Sequence, residues 1–224
     1  AASFRRIPRK TSGNACSPGF TNVPAPRTGT ASAYPPHDAL TPEGFPALLA
    51  RVKRDLDGFQ ARWALIGGLA VGARTQPRFT RDLDVAVAVS SDPEAENLIR
   101  QLLIEGYQIE ALLEQLSLGR LATVRLRPPE GREIVDLLFA SSGIEQEIVE
   151  GADRLEVFPT LVVPVACRGD LIAMKILARD DASRPQDRVD IQALLKSAGP
   201  EDLERGRRAL RWIAERGSAR GRDL

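Results

Sequence analysis

Residues 63–89, WALIGGLAVGARTQPRFTRDLDVAVAV, hold the pattern that decides the fold. Trp63 to Ile66 is a short apolar run of strand type, Gly67 and Gly68 interrupt it, and Gly68 to Arg74 has the composition of a short helix. Leu83 to Val89 then returns to alternating β-branched residues, so the unit reads strand, turn, helix, strand. Residues two apart in a strand share a face, which puts Asp82 and Asp84 on one side and Leu83, Val85 and Val87 on the other. Like charges that close repel beside an apolar core unless a cation neutralises them, and hard oxygen ligands favour Mg²⁺ or Mn²⁺. At the end of a strand and start of a helix, Gly67 and Gly68 allow a phosphate to approach the backbone, where unpaired N–H groups favour an anion. Arg74, Arg78 and Arg81 lie between the glycines and the acids, suited to phosphate oxygens or to the carboxylates themselves.

A third acid, Asp136, stands in the apolar stretch EIVDLLF, residues 133–139, where a lone carboxylate needs a partner. If the two strands are neighbours, Asp82, Asp84 and Asp136 form the three-carboxylate cradle of a two-metal phosphoryl-transfer site. The plainer alternatives stay open: a solvated D-x-D strand end, a simple Gly-Gly turn, and Asp136 as the ion-pair partner of an arginine such as Arg125.

Around this unit, Phe45, Leu48, Leu49, Val52 and Leu56 predict a helix capped at Thr41 and running to about Phe59. Further expected elements are a helix over 93–105, strands over 121–127 and 133–139 joined through Pro128-Pro129-Glu130-Gly131, a helical piece after Ile144, and a β region over 155–163. Three helices follow, over 170–179, 185–195 and 201–216. The divisions implied are a mobile tail (1–40), a catalytic domain (41–165) and a helical C-terminal region (166–224) closing the cleft.

Composition narrows the chemistry. With 224 residues and 43% hydrophobic content the chain can bury a substantial core. Two cysteines, Cys16 and Cys167, and one histidine, His37, exclude a His/Cys zinc centre. Five of the 31 basic residues but one of the 30 acidic ones lie in residues 1–40, so the remainder is slightly acidic, which disfavours a general nucleic-acid-binding surface. The Arg-rich, acid-poor start has the composition of an organellar targeting segment or of an added extension. No apolar run suits a membrane span, and the chain reads as cytoplasmic. Arg205, Arg207, Arg208, Arg211, Arg216, Arg220 and Arg222 near the end read as a solvated helix face, or as a grip on an RNA backbone with Trp212 as the lone stacking residue.

Gly67-Gly68-X-Ala70, Arg78-X-Thr80-X-Asp82-X-Asp84 and Asp136 together resemble the nucleotidyltransferase superfamily of the DNA polymerase β type. The run DLIAMKILARDDASRPQDRVDIQALL, residues 170–195, with Lys175 on one helix and Asp187 and Asp190 opening the next, is similar to the AbiEii-type nucleotidyltransferases, toxins of type IV toxin–antitoxin systems. The resemblance implies an α+β fold, a polymerase-β-like mixed sheet with flanking helices. It implies that Asp82 and Asp84 hold both divalent ions and Asp136 the catalytic one, that Gly67, Gly68, Arg78, Thr80 and Arg81 serve the nucleotide, and that Lys175 contacts the triphosphate, with Asp187 in the same part of the site. The reaction implied is attack of an acceptor hydroxyl on the α-phosphate of a nucleoside triphosphate, with loss of pyrophosphate. The acceptor expected is an RNA, such as a tRNA 3′ end, or a protein hydroxyl, with an antitoxin as partner protein. An aminoglycoside-like small molecule is the second acceptor class, and a catalytically silent binding module the third reading. Gly-Gly stands where many superfamily members carry Gly-Ser, which removes one hydroxyl contact to phosphate. From the residues alone, Lys175 could extend into water and Asp187 could merely complement a helix dipole.

Overall fold

The computed structural model describes residues 4–6, 44–78, 80–115, 120–129 and 133–224. Its strands are β1 (Phe4–Arg6), β2 (Arg62–Leu65), β3 (Asp82–Ala88), β4 (Gln108–Gln115), β5 (Arg120–Arg127), β6 (Ile134–Leu138), β7 (Asp153–Phe158) and β8 (Leu161–Val165). Its helices are α1 (Gly44–Gly58), α2 (Gly67–Arg74), α3 (Asp92–Ile104), α4 (Glu145–Glu150), α5 (Arg168–Ala178), α6 (Pro185–Ser197) and α7 (Pro200–Glu215). One mixed sheet results, in the order β1-β4-β5-β6-β3-β2-β8-β7. The fold is therefore α+β, a mixed sheet with flanking helices and a helical C-terminal region.

The alternation read in residues 83–89 is the one the structure uses: Leu83, Val85 and Val87 are buried in the core with Trp63, Leu65 and Ile66 from β2 and its end. The expected strand neighbours also pair. β3 runs parallel to β6, opposing Asp84 to Asp136, and β6 runs antiparallel to β5, opposing Asp136 to Arg125. Of the sheet's covering helices, α1 lies on β2 and β8, α4 on β2 and β3, and α2 on β3, α5 and α6.

Two elements depart from the sequence expectations. β4, QIEALLEQ, is a strand although Ala, Leu, Glu and Gln favour helix. Bulges between Ile109 and Ala111 and between Leu113 and Glu114 break its alternation, and pairing to β5 overrides local propensity. In the stretch 1–40 assigned as a tail, Phe4–Arg6 pairs antiparallel with β4; a sheet edge recruits backbone N–H and C=O groups and needs no apolar side chains to do so. The rest of that stretch, His37 and the Thr41 cap lie outside the described residues.

The C-terminal helices are held by a close backbone crossing. A Cβ at Gly169 in α5 would lie 2.4 Å from the carbonyl oxygen of Asp202 and 2.8 Å from the nitrogen of Gly206 in α7, so only glycine fits there. Arg205 reinforces the crossing by donating to Asp170 (2.9 Å) and to the Glu147 carbonyl (3.0 Å). That arginine, expected on a solvated face, is instead a tie between α7, α5 and α4.

Candidate active site

The end of β2 and the start of α2 set the site. The Ile66 N–H donates to the Asp84 carbonyl at 3.0 Å, so β2 stays paired to β3 up to the residue before the glycines. Gly67 then turns the chain into α2 with φ +65°, a left-handed conformation that side chains disfavour. The Asp84 carboxylate packs directly over it: a Cβ at Gly67 would sit 1.9 Å from Asp84 Oδ2. Gly68 is approached from the other side, where a Cβ would lie 2.6 Å from Arg78 Nη2 and 2.9 Å from Thr80 Oγ1. The Thr80 hydroxyl donates to the Asp82 carbonyl at 3.2 Å. Gly67 is thus required by its backbone and by Asp84, while at Gly68 the Arg78 and Thr80 side chains pack close on the first turn of α2.

The three carboxylates lie on adjoining strands and sense one another. Burial raises the Asp84 pKa to about 6, and the charges of Asp136 and Asp82 add to the rise against the opposing charge of Lys175. Burial likewise raises that of Asp82, opposed by Arg125 and assisted by Asp136. Asp136 is clamped by Arg125, whose Nε and Nη2 donate to its two oxygens at 2.8 and 2.6 Å, with Asp82 4.0 Å from the same guanidinium. The ion-pair reading of Asp136 therefore holds, and Asp84 and Asp136 stand opposite each other on paired strands. Among the described residues no arginine or lysine forms an ion pair with Asp84.

Lys175 does not extend into water. It is 7% exposed and pairs with Asp187 and Asp190, each at 2.8 Å. Asp190 also accepts from Arg78 Nη2 at 2.7 Å, and Arg184 Nε lies 2.9 Å from Asp187 Oδ2. Asp187 opens α6, yet its main role in the fold is this buried pairing rather than exposure at a helix end.

A cavity of about 200 Å³ joins Gly67, Asp84, Asp136, Lys175, Arg184 and Arg220. Beside it a wider one of about 610 Å³ is lined by Glu110, Ala111, Leu113, Arg125 and Ile134 and shares Asp136 and Arg220 with the first. Of the predicted residues, Gly67, Asp84, Asp136 and Lys175 meet at the first cavity; Gly68, Arg78 and Thr80 pack beside it, and Asp187 backs Lys175. Asp82 sits at the rim by Arg125, and Arg81 is exposed, affecting Asp82 through its charge alone. Arg184 was not singled out from sequence, and Arg220 was read there only as part of a solvated face or of a grip on an RNA backbone. Arg184 had one usable signal, its place just before the Pro185 that starts α6; for Arg220 nothing in the sequence pointed to this cavity, since a loop beyond the last helix brings it back.

The family model for the nucleotidyl transferase AbiEii toxin of type IV toxin–antitoxin systems matches residues 47–223. The chain belongs to this family. The family is one of nucleotidyl transferases. A solution structure of the antibiotic-resistance factor ANT(2'')-Ia superposes with a TM-score of 0.54 at 16% identity, over 80% of this chain and 96% of that one, a likeness of fold. An antigenic nucleotidyltransferase-like protein from Paracoccidioides brasiliensis superposes at 0.49 with 19% identity, over 81% and 94% of the two chains. A curated 2-hydroxy-6-oxononadienedioate/2-hydroxy-6-oxononatrienedioate hydrolase from a Pseudomonas species is 30% identical over 142 residues. Those residues are 63% of this AbiEii-family chain and 45% of that relative, so the chain spans under half the relative's length. Among the described residues no helix is long and apolar enough to cross a membrane.

Proposed function

We propose that the chain transfers a nucleoside monophosphate from a nucleoside triphosphate to an acceptor hydroxyl, using Mg²⁺ or Mn²⁺ held by Asp84 and Asp82 and joined by Asp136. The observation that carries the reading is Asp84. It is a desolvated carboxylate beside two others, its pKa is raised to about 6, and it has no ion-pair partner among the described residues. A divalent cation is the partner its chemistry lacks. The fit has one condition. Among the described residues no group of three or more acids, histidines or cysteines is already gathered as a metal site, and Arg125 holds both oxygens of Asp136, so Arg125 must release at least one for Asp136 to serve. The ion would supply neutralisation of phosphate charge and activation of the acceptor hydroxyl.

The chain's own residues do the remaining work. Gly67 and Gly68 expose the first turn of α2 to the phosphates, with Arg78, Thr80 and Arg81 beside it. Lys175, oriented by Asp187 and Asp190, presents its charge to the cavity wall and stabilises the triphosphate. The helical region 166–224 closes the cleft over these groups, and catalysis comes from positioning and charge complementarity. As acceptor we propose an RNA 3′ end, as in a tRNA, in a toxin–antitoxin setting with an antitoxin as partner. The wider cavity beside Asp136 supports it, because Arg125 and Arg220 stand in its wall while its acid Glu110 is already paired with Arg127 at 3.2 Å.

Incubation of labelled nucleoside triphosphates and Mg²⁺ with total RNA, aminoglycosides and the protein alone tests both parts. Label in RNA that disappears in Asp84→Asn is the expected result. Label confined to an aminoglycoside or to the protein refutes the RNA acceptor, and transfer undiminished in Asp84→Asn refutes the site.

A further inference from the structure

The chain beyond α7 has no apolar period, yet it is fastened at several points. Arg216 donates to the Gly143 carbonyl at 2.6 Å and to Glu147 at 2.5 Å. Ser218 is fully buried, its N–H donates to the Ile213 carbonyl at 2.9 Å, and it packs so tightly on Gly143 that a Cβ there would lie 2.6 Å from its hydroxyl oxygen. Arg222 donates to the Arg179 carbonyl, and Leu224 packs against the core. A loop held on both sides of position 220 delivers that side chain to one place. Arg220 Nη2 donates to the carbonyl and hydroxyl oxygens of Ser141 at 3.0 and 2.9 Å, and the side chain lines the wall shared by the two cavities.

Arg184 faces the first of these cavities from the turn before α6. Burial lowers the Arg220 pKa; Glu145 opposes this, while Arg222 and Arg184 add to it. Arg220 and Arg184, from separate segments, thus share one cavity with Lys175, Asp84 and Asp136, and Arg184 is held there by its 2.9 Å pair with Asp187. Guanidinium groups fixed in this way match phosphate oxygens in shape and charge.

We propose that Arg220, with Arg184, forms a phosphate clamp that the C-terminal loop carries to the junction of the two cavities. Its ligand is a phosphate group, from the nucleotide or from the acceptor strand; this choice of sources rests on the transferase reading above. Ser141 orients the Arg220 guanidinium, and the fastened loop spares the protein the entropy of ordering it when ligand arrives.

The test is titration calorimetry of the full chain, Arg220→Gln and Arg220→Lys with inorganic pyrophosphate, with a non-hydrolysable nucleoside triphosphate and Mg²⁺, and with a short single-stranded RNA. The glutamine variant is expected to lose about tenfold in affinity for at least one probe, as fits a charge-assisted bond, with the lysine variant recovering part of it. Loss for pyrophosphate and triphosphate assigns the clamp to the nucleotide. Loss for RNA alone, with a salt slope shallower by about 0.7, assigns it to the acceptor. Equal affinities of wild type and Arg220→Gln for all three probes, or no binding of any probe by the wild type, overturns the clamp. So does a loss that Arg220→Lys leaves unrestored while both variants melt below the wild type in parallel, which leaves Arg220 a structural staple of Ser141. A wild type that binds pyrophosphate through Arg220 but transfers no label sinks the transferase reading and leaves the clamp standing.

Discussion

Gly67→Ala separates the site's geometry from its stability, and Gly72→Ala is its internal control. At Gly67 the new methyl group would lie 1.9 Å from Asp84 Oδ2, so the carboxylate must retreat by about 1.5 Å to reach ordinary contact. The alanine must also adopt φ near +65°, a strain of about 1–2 kcal/mol. For a chain of this size that lowers the melting temperature by about 2–8 °C. The functional effect is larger, because a misplacement of about 1 Å in a catalytic group costs on the order of a hundredfold in rate. At Gly72, in the same helix, the methyl group meets nothing nearer than the Arg78 nitrogen at 3.5 Å, and alanine gains up to about 1 kcal/mol of helix propensity. Thermal melts of both variants, paired with labelled transfer and metal-dependent nucleotide binding, give the comparison. Gly67→Ala is expected to fold and lose about a hundredfold in transfer while Gly72→Ala matches the wild type. Undiminished transfer by Gly67→Ala, or equal loss in both, refutes the assignment of Asp84 and its glycine seat.

Lys175→Met leaves Asp187 and Asp190 without their shared buried cation, a loss of about 3–5 kcal/mol that calorimetry would read as a melting point lower by about 6–20 °C. A shift under about 2 °C would mean that Arg78 and Arg184 suffice for the two carboxylates. Arg125→Gln frees both oxygens of Asp136, and Mn²⁺ binding followed by electron paramagnetic resonance should tighten about tenfold; unchanged or weaker binding shows that Arg125 does not compete with the ion. Asp57 supplies a pH effect remote from the site. Burial opposes its ionisation, but hydrogen bonds from Lys53 and Trp63 prevail and its pKa is lowered. Its contribution is therefore complete above the unfolded carboxylate value near pH 4 and is lost as pH falls through the lower folded value. Urea titrations followed by tryptophan fluorescence should show a flatter acid limb in Asp57→Asn, and an identical limb would remove Asp57 from the acid response.

The central strands were legible in sequence because period 2 and chemistry agree there: Leu83, Val85 and Val87 had one destination, and Asp82 and Asp84 the other. Asp136 was legible for the opposite reason, as a carboxylate in a strand too apolar to hold it unpartnered. β4 was not, because two bulges scramble the period and its residues favour helix, so only the partner strand dictates its form. Arg207, Arg208, Arg211, Arg216 and Arg222 are exposed as expected, but Arg205 and Arg220 depart from the solvated reading, for a related cause. Arg205, Arg216 and Arg220 find carboxylate and carbonyl partners on α5, α4 and the loop around 141–143, all distant in sequence. Trp212, considered for stacking on bases, lies between the guanidiniums of Arg208 and Arg216, each 5.5 Å from its ring centre.

The distribution of charge explains why Asp84 is the exception in its own site. Asp136 and Asp82 have Arg125, and Asp187 and Asp190 have Lys175, Arg78 and Arg184, so nearly every buried acid carries a cation from the same chain. Asp84 forms an ion pair with none of these among the described residues, and α2 begins so close to β3 that its carboxylate lies against the bare Cα of Gly67. The long side chains that neutralise its neighbours come from β5 (Arg125), α5 (Lys175), the α2–β3 connection (Arg78) and the turn before α6 (Arg184), while Gly67 covers one side of Asp84. Leaving such a carboxylate unpaired destabilises the fold, as its raised pKa records. A chain that surrounds each neighbouring acid with arginine or lysine but seats this one on a glycine with a left-handed backbone has kept it open toward the cavity, where a bound cation would recover the cost.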